Sequence, residues 1–248
     1  MNESTVMDRR PSELPRRRSA LLALLLLVPI PSIGVLVALL GPRDEAGRAS
    51  ALGQGVWALS KIWILLFPVL WHRFVDGMKV RIPRPSSRGM GAAVVTGSAF
   101  AITIVVAYFT LGRAWNAGSD AGARIAETGL DRIWLFLLMA VYWCTVNSLL
   151  EEYVWRWFVF TRCEAIMQRY VAVIAAGLFF MIHHTIAMSL YFDDARIVVL
   201  ASLGVWIGGA TWSWIYLRWR NIYAAYVSHV FADVVIFWIG YRLIFLNG

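Results

Sequence analysis

Along the chain, long apolar runs alternate with short polar segments that carry most of the arginines. Windows of roughly 20 apolar residues cross about 30 Å of hydrocarbon as helices. They fall at Ser19 to Leu40, Ala51 to Trp71, Met90 to Leu111, Ile133 to Phe160, Val171 to Phe192, Ile197 to Leu217 and Ile222 to Tyr241. The expected fold class is therefore all-α, a polytopic transmembrane helical bundle of about seven spans within a range of six to eight. The linker RIPRPSSR at 81–88 reads as loop, and the Gly- and Ala-rich segment 112–132 reads as an outer loop with at most a helical turn. No internal repeat or pair of broken helices is visible, which disfavours a transporter.

Composition agrees. The 248 residues are 60% hydrophobic and 15% charged, too little charge for a soluble domain of this size. The net charge of +8 does not signal nucleic acid, because the basic residues lie between apolar runs rather than on one periodic face with stacking aromatics. Arg9, Arg10, Arg16, Arg17 and Arg18 precede the first span, and Arg73, Lys79, Arg81, Arg84 and Arg88 separate the second and third. Arg162 and Arg169 follow the fourth, and Arg218 and Arg220 follow the sixth. The opposite ends carry fewer, so the positive-inside rule places the N-terminus in the cytoplasm. The long first apolar run ends without a small-residue cleavage motif, so it is expected to stay as a span. The two cysteines, Cys144 and Cys163, lack metal-type spacing and read as packing residues. Lys61 is either a snorkelling or helix-pairing lysine or a cavity residue. Pro29, Pro31 and Pro68 are expected to kink helices. Gly208 and Gly209 should allow close packing, and Trp57, Trp63, Trp71, Trp134, Trp155, Trp157, Trp212, Trp214 and Trp219 suggest an interfacial belt.

The fourth apolar run contains NSLLEEYVWRW at 147–157, with Glu151, Glu152 and Arg156 inside a membrane-length segment. An ionisable side chain in hydrocarbon costs about 3 kcal/mol on insertion scales, so it needs a partner or a wet cavity. Glu152 and Arg156 are four residues apart on one helical face and can pair. Glu151 has no basic residue at helical spacing, its helical neighbours including Asn147, Ser148 and Trp155, which leaves it the freer carboxylate and a candidate general base. The bland alternative is that both glutamates staple helices together or lie at the headgroups. Span five carries FFMIHH, with His183 and His184, and span seven carries SHVFAD, with His229 and Asp233 at i and i+4. Counted at 1.5 Å per residue, Glu152 and His229 lie roughly 10 to 12 Å from the cytoplasmic ends of their helices, with His184 somewhat deeper. A shared polar cavity open toward the cytoplasmic side would supply a base, imidazoles and an oxyanion partner.

EEYVWR matches E-E-x-x-x-R, FFMIHH matches F-x-x-x-H, and SHVFAD nearly matches H-x-x-x-N. In this order the motifs resemble the CAAX protease and bacteriocin-processing (CPBP, or Abi) family of intramembrane endopeptidases, over roughly Trp134 to Tyr241. The resemblance implies Glu151 as the base that activates water, assisted by His184, with Phe179 and His183 fitting the same pattern one residue earlier. It implies His229 and position 233 as oxyanion partners, and Glu152 and Arg156 as orienting groups. Asp233 departs from the family's asparagine, because an ionised carboxylate only accepts hydrogen bonds. It must be protonated or must hold the His229 tautomer, or activity is altered. H-E-x-x-H is absent, so no metal and no cofactor are expected, with a zinc-dependent version of the same protease as the alternative. The division expected is a basic cytoplasmic tail over 1–18, N-terminal transmembrane helices and loops over 19–132, and a CPBP-like catalytic core over 133–248. The expected partners are the lipid bilayer and a protein or peptide substrate, with no nucleic acid, in a bacterial inner membrane. A non-catalytic immunity or scaffold protein is the competing class.

Overall fold

The computed structural model describes residues 14–41, 50–80, 85–112, 114–115, 121–125 and 130–246. Most of the 1–18 tail lies outside them, as do Arg9, Arg10, Arg43, Arg48, Arg81, Arg84 and Arg113. Among the described residues all regular structure is helical. Seven helices among these residues are long and apolar enough to span a membrane: α1 (Arg17–Ala38), α2 (Ala51–Val75), α3 (Met90–Gly112), α5 (Ile133–Ile166), α6 (Arg169–Tyr191), α7 (Ala195–Trp219) and α8 (Ile222–Leu246). The short α4 (Ala121–Ile125) supplies the helical turn expected between the third and fourth spans.

Most helices overrun the apolar windows by a few residues, because backbone hydrogen bonding continues past the hydrocarbon into segments whose polar side chains find partners. α1 breaks at Val28, where Pro29 and Pro31 have no N–H to donate one turn back. Pro68 is followed by a π-helical turn at Trp71–Val75. The outward faces carry exposed Leu25, Val95, Ile102, Leu137 and Leu138, a surface that water would not tolerate and lipid does. The core gathers Phe158, Val159, Phe160, Phe180, Trp212 and Ile215 from α5, α6 and α7.

Polar contacts lock one end of the bundle. Arg162 of α5 pairs with Asp76 at 2.6 Å, and Asp76 also accepts from the Ser19 hydroxyl of α1 at 2.6 Å. Arg220 pairs through two nitrogens with Glu164, each contact 2.6 Å. The Asn221 amide donates to the carbonyls of Ser86 and Arg88, both at 2.8 Å, and so ties the linker to the start of α8. At the other end Asp194 caps α7, and hydrogen bonds from Arg196 hold its carboxyl below the usual range. Cys144 and Cys163 are both buried and free. Lys61 is exposed, its ammonium 5.6 Å from the centroid of the Trp57 ring.

α6 and α7 cross at glycines. A Cβ on Gly177 would lie 2.7 Å from the Ala210 nitrogen, and one on Gly209 would lie 3.1 Å from Gly177 Cα. A methyl here meets backbone, which cannot swing aside. Gly204, on the same α7, has nothing within 4 Å of an added Cβ. Gly177→Ala should therefore lower the thermal unfolding midpoint in detergent, at an overpacking cost of about 1–3 kcal/mol. Gly204→Ala should leave it unchanged or raise it; tryptophan fluorescence on heating reads both.

Candidate active site

The glutamates sit on one α-helical turn, Ser148–Glu152, bracketed within α5 by π-helical segments at Trp143–Asn147 and Tyr153–Phe160. A π turn inserts a residue relative to α spacing and shifts which side chains face inward, and such bulges concentrate at functional sites. Here the inward set includes Glu152 and Arg156, both 0% exposed, while the Glu151 side chain keeps 21% exposure. One carboxylate is thereby consumed by the interior, and its neighbour stays partly exposed.

Glu152 has two partners. Its Oε2 lies 3.2 Å from Arg156 Nε, an ion pair without the alignment of a hydrogen bond, and its Oε1 accepts from His229 Nδ1 at 2.9 Å. A carboxylate oxygen only accepts, so His229 Nδ1 carries a hydrogen. The Arg156 guanidinium packs over the rings of Phe180 and Trp212, 4.7 and 5.0 Å from their centroids, in cation–π contact. Trp212 stacks on the His229 ring at 3.9 Å and donates its indole N–H to Ser228 Oγ at 3.1 Å. Ser228 reaches Thr96 of α3 at 2.9 Å. The interfacial reading therefore fails for Trp212, and also for Trp155, which stacks on His183 at 5.3 Å. Both rings are buried because they position histidines.

The other face of His229 opens on the remaining acids. Nε2 lies 3.7 Å from Glu151 Oε2 and 3.6 Å from Asp233 Oδ1. Glu151 accepts from the Asn147 amide at 2.9 Å, and one of its oxygens lies within 4.8 Å of a ring nitrogen on each of His183 and His184. His184 Nδ1 lies 2.9 Å from the Phe180 carbonyl, which can only accept, so Nδ1 bears the hydrogen and Nε2 a lone pair. Asp233 Oδ2 is 2.5 Å from Ser148 Oγ, which also bonds the Trp143 carbonyl at 2.7 Å.

The fold thus brings Glu151, Glu152, Arg156, His183, His184, His229 and Asp233 into one cluster on three helices. Position i+4 suggested Asp233 as the group fixing the His229 tautomer; in the structure Glu152 takes Nδ1, and Asp233 faces Nε2. Trp212 and Ser228 carried no signal of a role at the site, since a lone polar or aromatic residue in an apolar run has many explanations. Asn147 and Ser148 were visible only as helical neighbours of Glu151.

Removing one member of the buried pair strands the other. Arg156→Ala should cost about 3–5 kcal/mol of stability. Adding Glu152→Gln should recover part of it, and thermal unfolding of the single and double variants in detergent reads the difference.

No curated protein and no solved structure matches the chain. Residues 133–235 match the family model described as Type II CAAX prenyl endopeptidase Rce1-like, which is the CPBP (Abi) family that the three motifs resemble.

Proposed function

We propose that the chain is an intramembrane endopeptidase that hydrolyses a peptide bond near the cytoplasmic membrane face with water activated by Glu151. The observation that carries this reading is the placement of Glu151: partly exposed, steadied by Asn147, and flanked by ring nitrogens of both His184 and His229. A water donating one hydrogen to Glu151 and the other to the His184 Nε2 lone pair has its oxygen free for a carbonyl carbon. As the oxygen adds, Glu151 takes the proton and the carbonyl oxygen becomes an oxyanion. A protonated His229 Nε2 donates to that oxyanion, and Glu152 balances the ring charge from the opposite side. Collapse of the tetrahedral species breaks the C–N bond, and the proton on Glu151 passes to the departing amine. Glu152 and Arg156 touch no substrate in this scheme and act by positioning His229.

The Ser148 contacts bear on the aspartate. Ser148 can donate its one hydroxyl hydrogen to Asp233 Oδ2, with the Trp143 carbonyl as a second acceptor at 2.7 Å. Asp233 Oδ1 is left facing His229. An asparagine keeps both contacts by donating its amide to Ser148 as the hydroxyl turns to Trp143, and by presenting its oxygen to His229.

The arginine-richer ends of the helices favour a cytoplasmic N-terminus in a bacterial plasma membrane, with residues 133–248 as the catalytic core. The substrate would be a protein or peptide reaching the site from the membrane or its surface.

The test compares new peptide termini in native-host membranes carrying wild-type protein or Glu151→Gln at matched abundance. Loss of a general base lowers rates by about 10²–10⁴, so termini dependent on the wild type should vanish. Identical profiles would overturn the protease reading in favour of a non-catalytic immunity or scaffold protein. Asp233→Asn should keep the termini and Asp233→Leu should lose them, because only the first preserves both contacts.

A further inference from the structure

The hydrolytic scheme uses one histidine of the His183–His184 pair and leaves the other without a task. His183 Nδ1 is buried and has no hydrogen-bond partner among the described residues, a rare condition for an imidazole nitrogen. Its ring is fixed rather than loose, stacked on Trp155 with the planes 6° apart and centred 4.1 Å from the His184 ring. His184 is set in the form that suits a metal ligand: Nδ1–H to a backbone carbonyl fixes the tautomer and leaves Nε2 as the donor. The Glu151 carboxylate completes a triangle whose three ligand atoms all lie within 4.8 Å of one another, and all three residues are half-buried. Two imidazoles and a carboxylate are a donor set for zinc and its neighbours, and three protein donors leave a position open to solvent.

We propose that Glu151, His183 and His184 form a binding site for a divalent transition-metal ion of the zinc type, and that a bound ion switches off hydrolysis by engaging Glu151. The second half rests on the reading of Glu151 as the base. An ion there would hold the Glu151 lone pair that otherwise takes the proton from water. A zinc protease of the H-E-x-x-H type keeps a separate glutamate as base. Neither neighbour can replace it: Glu152 is 0% exposed and bound to His229 and Arg156, and Asp233 is tied to Ser148. Metal and glutamate chemistry therefore compete for one side chain. His183, which the hydrolytic scheme does not use, is the residue that separates them.

The test uses the purified full-length chain in detergent, stripped with chelator and titrated with Co²⁺ alone, whose visible ligand-field absorption reports bound metal without reference to activity. The wild type should bind one equivalent. His183→Phe keeps the stacking ring and removes both nitrogens, and Glu151→Gln keeps the shape and removes the charge. Each should weaken binding by more than about 100-fold, beyond the loss expected from an outer-shell contact. In membranes, Zn²⁺ should abolish the Glu151-dependent termini of the wild type, while His183→Phe should tolerate at least tenfold more metal relative to its own chelator-treated sample. Absent Co²⁺ absorption, or absorption unchanged in both variants, overturns the site, and termini made by chelator-treated wild type would leave the protease reading intact. Binding with termini formed only when metal is present would keep the site and overturn both the off-switch and the metal-free glutamate mechanism. Binding without termini under any condition would keep the site and overturn the protease reading.

Discussion

Everything in the bundle is arranged around the contact between Glu152, His229 and Arg156. Removing a charged side chain from water costs several kcal/mol per ion even after relaxation. Both Glu152 and Arg156 are fully withdrawn from solvent. The cost is offset only because four helices converge: α5 supplies the ion pair, α8 the imidazole, and α6 and α7 the aromatic faces of Phe180 and Trp212. Those rings reach Arg156 because α6 and α7 approach closely at Gly177 and Gly209. A small-residue crossing in one part of the fold is thus a precondition for a buried charge in another.

The same contact divides labour between adjacent carboxylates. Sequence neighbours on a helix point about 100° apart, and that separation buries Glu152 and leaves Glu151 partly exposed. Residues farther along refine the arrangement, since Trp212 sets the plane of the His229 ring and Ser148 holds one oxygen of Asp233. The π-helical segments on either side of Ser148–Glu152 let a single helix present the acidic turn and the surrounding aromatic residues at workable angles. The cluster is accordingly anchored on regular elements rather than on loops, so its geometry is inherited from helix packing.

Much of the fold was legible because lipid imposes a coarse rule: apolar length decides where helices lie, and all seven long helices coincide with apolar windows. Charge in an apolar run was similarly plain, and it singled out Glu151, Glu152 and Arg156. Helical spacing also anticipated the Glu152–Arg156 pair and the proximity of Asn147 to Glu151. Spacing within one helix says nothing about partners on another, so the Glu152–His229 bond and the Ser148–Asp233 contact were invisible. Tryptophan was misleading for a related reason. A ring can sit at a headgroup or stack on a histidine, and Trp155 and Trp212 do the second, a choice made by tertiary packing.

The segment matching the Rce1-like family begins at residue 133, yet Asn221 within it holds the linker that precedes α3. Its two acceptors are main-chain carbonyls, which every amino acid carries. The clamp therefore does not depend on which side chain stands at position 88, while a shift of the backbone at 86–88 would displace the carbonyls from the amide. Homologous chains should consequently keep an amide at position 221 and the backbone course of 86–88 more strictly than the side chain at 88.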